Sequence, residues 1–452
     1  MNTRLSLILL AFFSGPLAAS PAIDTWTTAN GARVLFAEAH ELPMVDVRIV
    51  FDAGSARDNG KAGLAALTGA VLTEGAGGLS AEQISERFEE AGARFQNGVD
   101  RDMAWVSLRS ITEPANLEPA LATLALVLER PDFPPEALKR ERKRLLIALK
   151  QRQQEPGNIA EDAFYANLYR NHPYASPLYG TEKILTAINR ADLKAFFQRY
   201  YIAQNAVVAI VGDLAQAEAQ DLANRLVGRL AAGEKAKPLP VVPALSAPIE
   251  VKITHPSSQT HILFGQPGIT RLDPDFYALY VGNHALGGSG LVSRLSKEIR
   301  EKRGLSYSAY SYFLPMRVAG PFIAGLETRN EQVGETLEVL RRTLQEFIAQ
   351  GPSVQEHQAS LKSITGGFPL RIDSNSKIVE YLAVIGFYEL PLDYLENFVR
   401  RIGSVTLTQI RESFKRRLSV ANTVTVIVGG EEEARSGNKM PGLAPQPLER
   451  RH

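Results

Sequence analysis

Two stretches decide how this chain is read: VVAIVGDL (Val207–Leu214) and VTVIVGGE (Val424–Glu431). Each is a β-branched apolar run that stops at glycine, the pattern of a strand buried on both faces and ended by a turn. They lie 217 residues apart, and a second echo, EEAGARF around Gly92 and EKRGLSY around Gly304, lies 212 residues apart. Two echoes at nearly one offset imply a tandem duplication.

Reading outward, both halves repeat one order of signals. In the first, Thr25–Thr28 and Val34–Ala37 flank Asn30-Gly31 as a hairpin, and Val45–Phe51 is a further strand. Helical patterns cover Gly63–Leu72, Ala81–Ala91 (opened by Ser80 as a cap), Leu117–Glu129 and Glu136–Arg152, with a strand at Ala104–Arg109. In the second half, a strand at His261–Phe264 precedes helical stretches at Phe276–Leu286 and Leu291–Glu301. Strands at Tyr307–Phe313 and Pro321–Leu326 and helices at Glu331–Ala349 and Val354–Gly366 follow. The expected fold is α+β: two homologous tandem domains, residues 23–230 and 249–430, each a mainly antiparallel sheet with helices packed on it. The proline-bearing stretch 231–248 reads as a linker, and the charged, Gly/Pro-rich tail 431–452 as disordered.

Composition narrows the function. The 452 residues are 45% hydrophobic and 22% charged, with 50 basic against 49 acidic side chains. That balance gives no footprint for nucleic acid or anionic membranes. Cysteine is absent, which excludes disulfides, thiolate metal sites and a cysteine nucleophile. Residues 1–22 have the layout of a secretory signal: Arg4, the apolar run Leu5–Phe13, then small residues around Ala18–Ala22. An uncleaved N-terminal anchor is the alternative; no later segment is apolar for long enough to span a bilayer. Export without cysteine points to the periplasm.

VDVRIVFDAGSARDNGKAGLAAL, NHPYASPLYGTEKIL, FFQRYYIAQNAVVAIVGDL and HALGGSGLVSRLSKEIREKRGLSYSAYSYF, together with the tandem halves, resemble the pitrilysin/insulinase-like zinc metallopeptidases. The nearest branch is the short, two-domain bacterial proteins related to the mitochondrial processing peptidase. The resemblance covers nearly all of residues 25–430, and it implies that the two domains form half of a clamshell.

Catalytic members carry H-x-x-E-H on the first helix, where two histidines one turn apart hold zinc and the glutamate polarises the bound water. Here Ala66 and Ala70 stand at the histidine positions and Gly69 at the base. The family's third ligand is a glutamate in E-R-x-x-x-x-E-E; ERKRLLIAL from Glu141 puts Ile147 and Ala148 there. None of the seven histidines falls in H-x-x-x-H spacing, so no zinc is expected in this chain. The resemblance also brings an arginine and a tyrosine seven residues apart in the second domain, which reach a zinc site across a cavity and stabilise the developing oxyanion. Those positions are Arg300 and Tyr307. The bland reading makes Arg300 a solvated helix residue and Tyr307 a packing residue.

Other features carry less. Gly287 and Gly288 belong to a loop that, in the family, lets substrate backbone or a neighbouring helix approach closely. Lys139–Arg144, alternating with Glu141, reads as a solvated helix face, and His261 as a packed or hydrogen-bonded strand residue. The resemblance therefore implies a non-catalytic, periplasmic subunit that completes a heterodimeric metalloendopeptidase acting on peptides or unfolded segments. Its partner would be a homologous chain bearing H-x-x-E-H and the zinc. The rival is a peptidase-like scaffold or peptide-binding protein with no part in hydrolysis.

Overall fold

A computed structural model describes residues 22–430. The expected tail (431–452) and all of the expected export signal (1–22) except Ala22 lie outside the described residues. The first half contains β1 (Asp24–Thr27), β2 (Arg33–Glu38), β3 (Met44–Phe51), α1 (Leu64–Val71), β4 (Gly75–Ala76), β5 (Leu79–Ser80), α2 (Ala81–Glu90), β6 (Arg94–Val99) and β7 (Ala104–Ile111). It continues with α3 (Pro114–Glu129), α4 (Pro135–Arg152), α5 (Pro156–Tyr169), α6 (Glu182–Ala187), α7 (Arg190–Tyr200), β8 (Ala206–Gly212) and α8 (Gln216–Val227). The second half contains β9 (Ile249–Ile253), β10 (Gln259–Pro267), α9 (Phe276–Asn283), β11 (Ser306–Phe313), β12 (Pro321–Arg329) and α10 (Val333–Gln350). It ends with α11 (Val354–Gly367), α12 (Asn375–Phe387), α13 (Tyr394–Gly403), α14 (Leu407–Arg417) and β13 (Val424–Val428).

Apart from the small β4–β5 ribbon, the strands pair into two sheets of one topology. The first has the order β1-β2-β8-β3-β7-β6; the second, read from its β9 edge, is β9-β13-β10-β12-β11. Five strands of each sheet therefore correspond, and their directions agree. β2 is parallel to β8 and β9 to β13, while the other neighbours are antiparallel. The echoing stretches are β8 and β13, both interior strands. Side chains alternate across a sheet, so Val208 and Ile210 of β8 enter one core while Val207, Ala209 and Val211 enter another. β13 divides in the same way, with Ile427 on one face and Val424, Val426 and Val428 on the other.

The first half's own helices cover one face of its sheet, α3 lying on β7 and α1 beside β6. The opposite face is covered by the other half: α12 lies on β8, β3 and β2. In return α5, from the first half, lies on β13 and β10 of the second sheet. This reciprocal crossing buries Leu382 and Ile385 of α12 and Phe164 and Tyr169 of α5, each large apolar side chain contributing roughly 1.5–3 kcal/mol. Gly386 brings α12 down onto the sheet. A Cβ there would stand 2.3 Å from Val207 Cγ1 and 2.6 Å from Leu35 Cδ1.

A buried polar group locks the same seam. Asp102, in the β6–β7 turn, accepts the Tyr174 hydroxyl on Oδ1, and on Oδ2 the Tyr388 hydroxyl and the Arg317 backbone N–H, both at 2.8 Å. Tyr388 and Arg317 come from the second half. Tyr174 lies in the NHPYASPLYG stretch, whose His172 ring is 2.9 Å from the Pro240 carbonyl. Residues 231–248 form no helix or strand, yet they are not a free tether. Ala236, Leu239 and Val242 are buried, and Arg57, paired to Asp52 at 2.7 and 2.9 Å, donates to the Lys237 carbonyl.

Two helical expectations need correction. Phe276–Leu286 is α-helical only to Asn283 and then widens into a π-helix at His284–Gly288. Leu291–Glu301 is a 3₁₀ turn at Gly290–Val292 followed by a π-helix at Ser296–Glu301. The hydrophobic spacing is read correctly as helical, but the winding widens where both segments lie against β11.

Gly386→Ala should lower the melting temperature by several degrees, because overpacking of this kind costs roughly 1–3 kcal/mol. Gly334→Ala, in an exposed turn of α10 with nothing within 4 Å, should leave it unchanged or slightly higher, as calorimetry of the two variants will show. Asp102→Ala should destabilise by at least about 2 kcal/mol, since it strands three buried donors. Asp102→Asn, keeping an acceptor, should cost less in urea titrations.

Candidate functional site

The helix at the family's metal position is well formed but chemically blank. α1 begins after Gly63, whose φ of +90° suits glycine, and Asp58 caps it by accepting Gly63 N–H and Ala65 N–H at 2.8 Å each. Burial pushes the Asp58 carboxyl up to about 7 even against those two bonds. Ala66 and Ala70, one turn apart, are partly exposed on a single side. Gly69 is buried, its carbonyl accepts Asn97 Nδ2 at 2.7 Å, and a Cβ on it would meet Val99 Cγ2 at 3.2 Å. The neighbouring α4 presents Ile147 and Ala148, both exposed.

One residue of that α4 motif does differ from expectation. Glu141 is buried and holds Arg140 at 3.7 Å and Arg144 at 3.2 Å, so the Lys139–Arg144 run is not a purely solvated face. It is a structural ion-pair node. Among the described residues no group of three or more His, Cys, Asp or Glu side chains could hold a metal. The residues present do not fit zinc.

The second candidate is built differently. Arg300 lies in the last turn of the 296–301 π-helix and Tyr307 is the second residue of β11, and the guanidinium lies 4.7 Å from the phenol ring centroid. A β-bulge between Ser306 and Ala309 takes Tyr307 and Ser308 out of the ladder. Ser306 fastens that bulge, its hydroxyl donating to the Ser308 carbonyl at 2.6 Å and accepting the Ser308 N–H at 3.2 Å. Bulges re-aim side chains, and here Tyr307 is 79% exposed, so it is not a core residue. Nearby Lys302 and Arg303 both pair with Glu298, at 2.6 and 2.9 Å. Among the described residues Arg300 has no such partner: its side chain forms neither ion pair nor hydrogen bond, which leaves the guanidinium donors available.

The chain as a whole has counterparts among known proteins. Residues 33–182 match the insulinase (peptidase family M16) domain and residues 187–364 the peptidase M16 inactive domain. A solved structure described as a peptidase M16 inactive domain from Pseudomonas fluorescens is 39% identical, with a TM-score of 0.87 over 94% of this chain and 100% of that one. The chain belongs to peptidase family M16. A relative from Helicobacter pylori, named non-peptidase homolog YmxG, is 26% identical over 96% of this chain and 100% of its own length. Another, from Bacillus subtilis, is named an uncharacterized zinc protease and is 25% identical over 79% of this chain and 86% of its own. The protein is thus a peptidase-like M16 chain whose metal positions have lost their donor atoms.

Within this M16 chain the glycine loop has a structural explanation. Gly287 is buried, and a Cβ there would fall 2.4 Å from both the backbone nitrogen and the hydroxyl of Ser311. It is strand β11, rather than a helix, that comes close. Gly288 is exposed beside Asn283. Sequence reasoning missed Ser306 and the bulge, because two serines flanking a tyrosine give no periodic signal. His261, read as a packed or hydrogen-bonded strand residue, lies beside Glu327 and also lines a cavity.

Elemental analysis of the purified chain should find far less than one zinc per chain. Ala66→His with Ala70→His should fold normally, both sites being partly exposed, and should bind zinc only weakly because the third ligand is still missing.

Proposed function

We propose that this chain is the zinc-less subunit of a periplasmic heterodimeric metalloendopeptidase, acting on peptides or unfolded segments. Metal and general base belong to a homologous partner bearing H-x-x-E-H; this chain supplies Arg300, Tyr307 and part of the substrate cavity. The observation that carries the reading is the Arg300–Tyr307 pair, stacked at 4.7 Å and aimed outward by a fastened bulge, with no carboxylate partner for the arginine among the described residues. An exposed phenol under an unpaired guanidinium has no stabilising task that packing explains.

The chemistry suits the role. A guanidinium offers directed, paired N–H donors and a phenol one O–H donor. Both would act on the oxygen of a peptide carbonyl as it becomes negative, and each gains strength once the partner encloses the site and excludes water. The stacking holds the two donor groups in one orientation before substrate arrives, so little ordering is left for the moment of reaction. The sequence layout of residues 1–22 and the absence of cysteine support the periplasmic assignment.

Reconstitution with an H-x-x-E-H chain tests this. Arg300→Ala or Tyr307→Phe should slow turnover about a hundred- to a thousandfold, as expected for loss of a transition-state donor, with KM changed far less. Co-elution and melting temperature should be retained. Unchanged turnover in a folded, assembled double variant would remove the catalytic-arm role and leave the scaffold reading in front.

A further inference from the structure

α5 packs mainly on β13 and β10, and where it stops a cavity of about 360 Å³ remains over the β10–β12 part of the sheet. Its chemistry is one-sided. On β11, Tyr310 and Tyr312 point the same way and lie nearly parallel, their ring centroids 6.0 Å apart at an angle of 10°. The Tyr310 ring lies across β12 at Gly325, with its Cζ and hydroxyl occupying the space where a Cβ would stand, 2.4 Å away. Only glycine at 325 allows a ring to lie on the sheet there.

Carboxylates come from two walls. Glu327 reaches in from β12, with Oε1 3.6 Å from Nδ1 of His261 on β10, and Glu161 enters from α5. Arg152 takes Oε2 of Glu161 at 2.6 Å; among the described residues Oε1 has no hydrogen bond. Burial, and after it the charges of Glu327 and Glu161, push the Tyr310 phenol above its ordinary value. The phenols therefore stay neutral, with electron-rich faces available, at any physiological pH.

Aromatic faces and carboxylates share one preference. Both attract organic cations, the rings through their quadrupole and the acids through charge-assisted hydrogen bonds. We propose that this cavity is a binding site for a guanidinium or alkylammonium group, seated on the Tyr310–Tyr312 pair and held by Glu327 and Glu161. The volume admits one such group with its alkyl stem. The site is contained in this chain alone and stands independently of the role of Arg300 and Tyr307 in hydrolysis, although Ser308, which follows Tyr307, lines it as well.

Calorimetric titration of the purified chain tests it with three probes: an uncharged pentapeptide scaffold with central arginine, the same peptide with citrulline, and agmatine. The arginine peptide should bind saturably and the citrulline peptide at least about tenfold more weakly, because citrulline keeps the shape and loses the charge. Agmatine binding as tightly as the peptide supports the site and identifies a free small cation as its ligand; agmatine binding much more weakly supports it and identifies a peptide side chain. Glu327→Gln should weaken binding about tenfold and Tyr310→Leu several-fold, whereas Tyr310→Phe, which keeps the ring face, should bind as the parent does. All three variants alter groups at the edge of the core, so unchanged melting temperatures will show that folding is intact. Equal binding of the arginine and citrulline peptides, no binding of any probe, or undiminished binding by a folded Glu327→Gln variant would overturn the proposal.

Discussion

Interior strands with two apolar faces set the terms for this molecule. β8 and β13 bury apolar side chains on both faces, so neither sheet is stable with helices on one face only. Each half leaves one face of its sheet open to the other half, and the gap is closed by exchange: α12 crosses to the first sheet and α5 to the second. This contact ties the duplicated halves together. The close approach at Gly386, the buried Asp102 group and the pinned 231–248 segment all serve the same seam. What remains accessible follows from it. Because α5 covers only part of the second sheet's face, the edge strand β11 keeps an open, tyrosine-bearing face.

The duplicated domains have diverged in opposite chemical directions. At α1 and α4 the residues are small and apolar, and they are accommodated by packing: Gly69 sits against Val99, and Asn97 takes its carbonyl. Clustered histidines and carboxylates repel or need a metal to neutralise them; alanine and glycine relieve that demand and leave a stable helix without a metal donor. On β11, by contrast, polar groups are maintained at a structural cost. A bulge breaks the ladder, Ser306 spends its hydroxyl fastening it, and a large phenol is held in solvent beneath an arginine.

Only some features of the fold are written locally in the sequence. The strand periodicities at Val45–Phe51 and Ala104–Arg109 and the long helices at Leu117–Glu129 and Val354–Gly366 were legible, because alternation and the 3.6-residue repeat record burial directly. The crossing helices α5 and α12 were not identified. Both are apolar on much of their surface, since they sit between a sheet and other elements, and a helix buried that way loses its amphipathic stripe. The π-turns after Asn283 and Leu295 have helical spacing in sequence; only their fit against β11 shows that the winding has widened. Glu141 read as solvent-facing because its neighbours are arginines and lysine, yet packing of α4 turns it inward.

By itself the sequence determined the duplication, the α+β class, the family and the loss of donors at Ala66, Gly69, Ala70 and Ala148, because these depend on residue identity and on spacing along one chain. It also marked Arg300 and Tyr307 as a pair, through resemblance. Tertiary structure alone decided that the two stack, that Tyr307 stands outside the core, that Asp102 joins Tyr174 to Tyr388, and that Glu161 and Glu327 face one tyrosine-floored cavity. The reason is physical: hydrogen bonds and cavities of this kind join residues far apart in sequence, and no local pattern of propensity or polarity encodes which distant side chains will share a space.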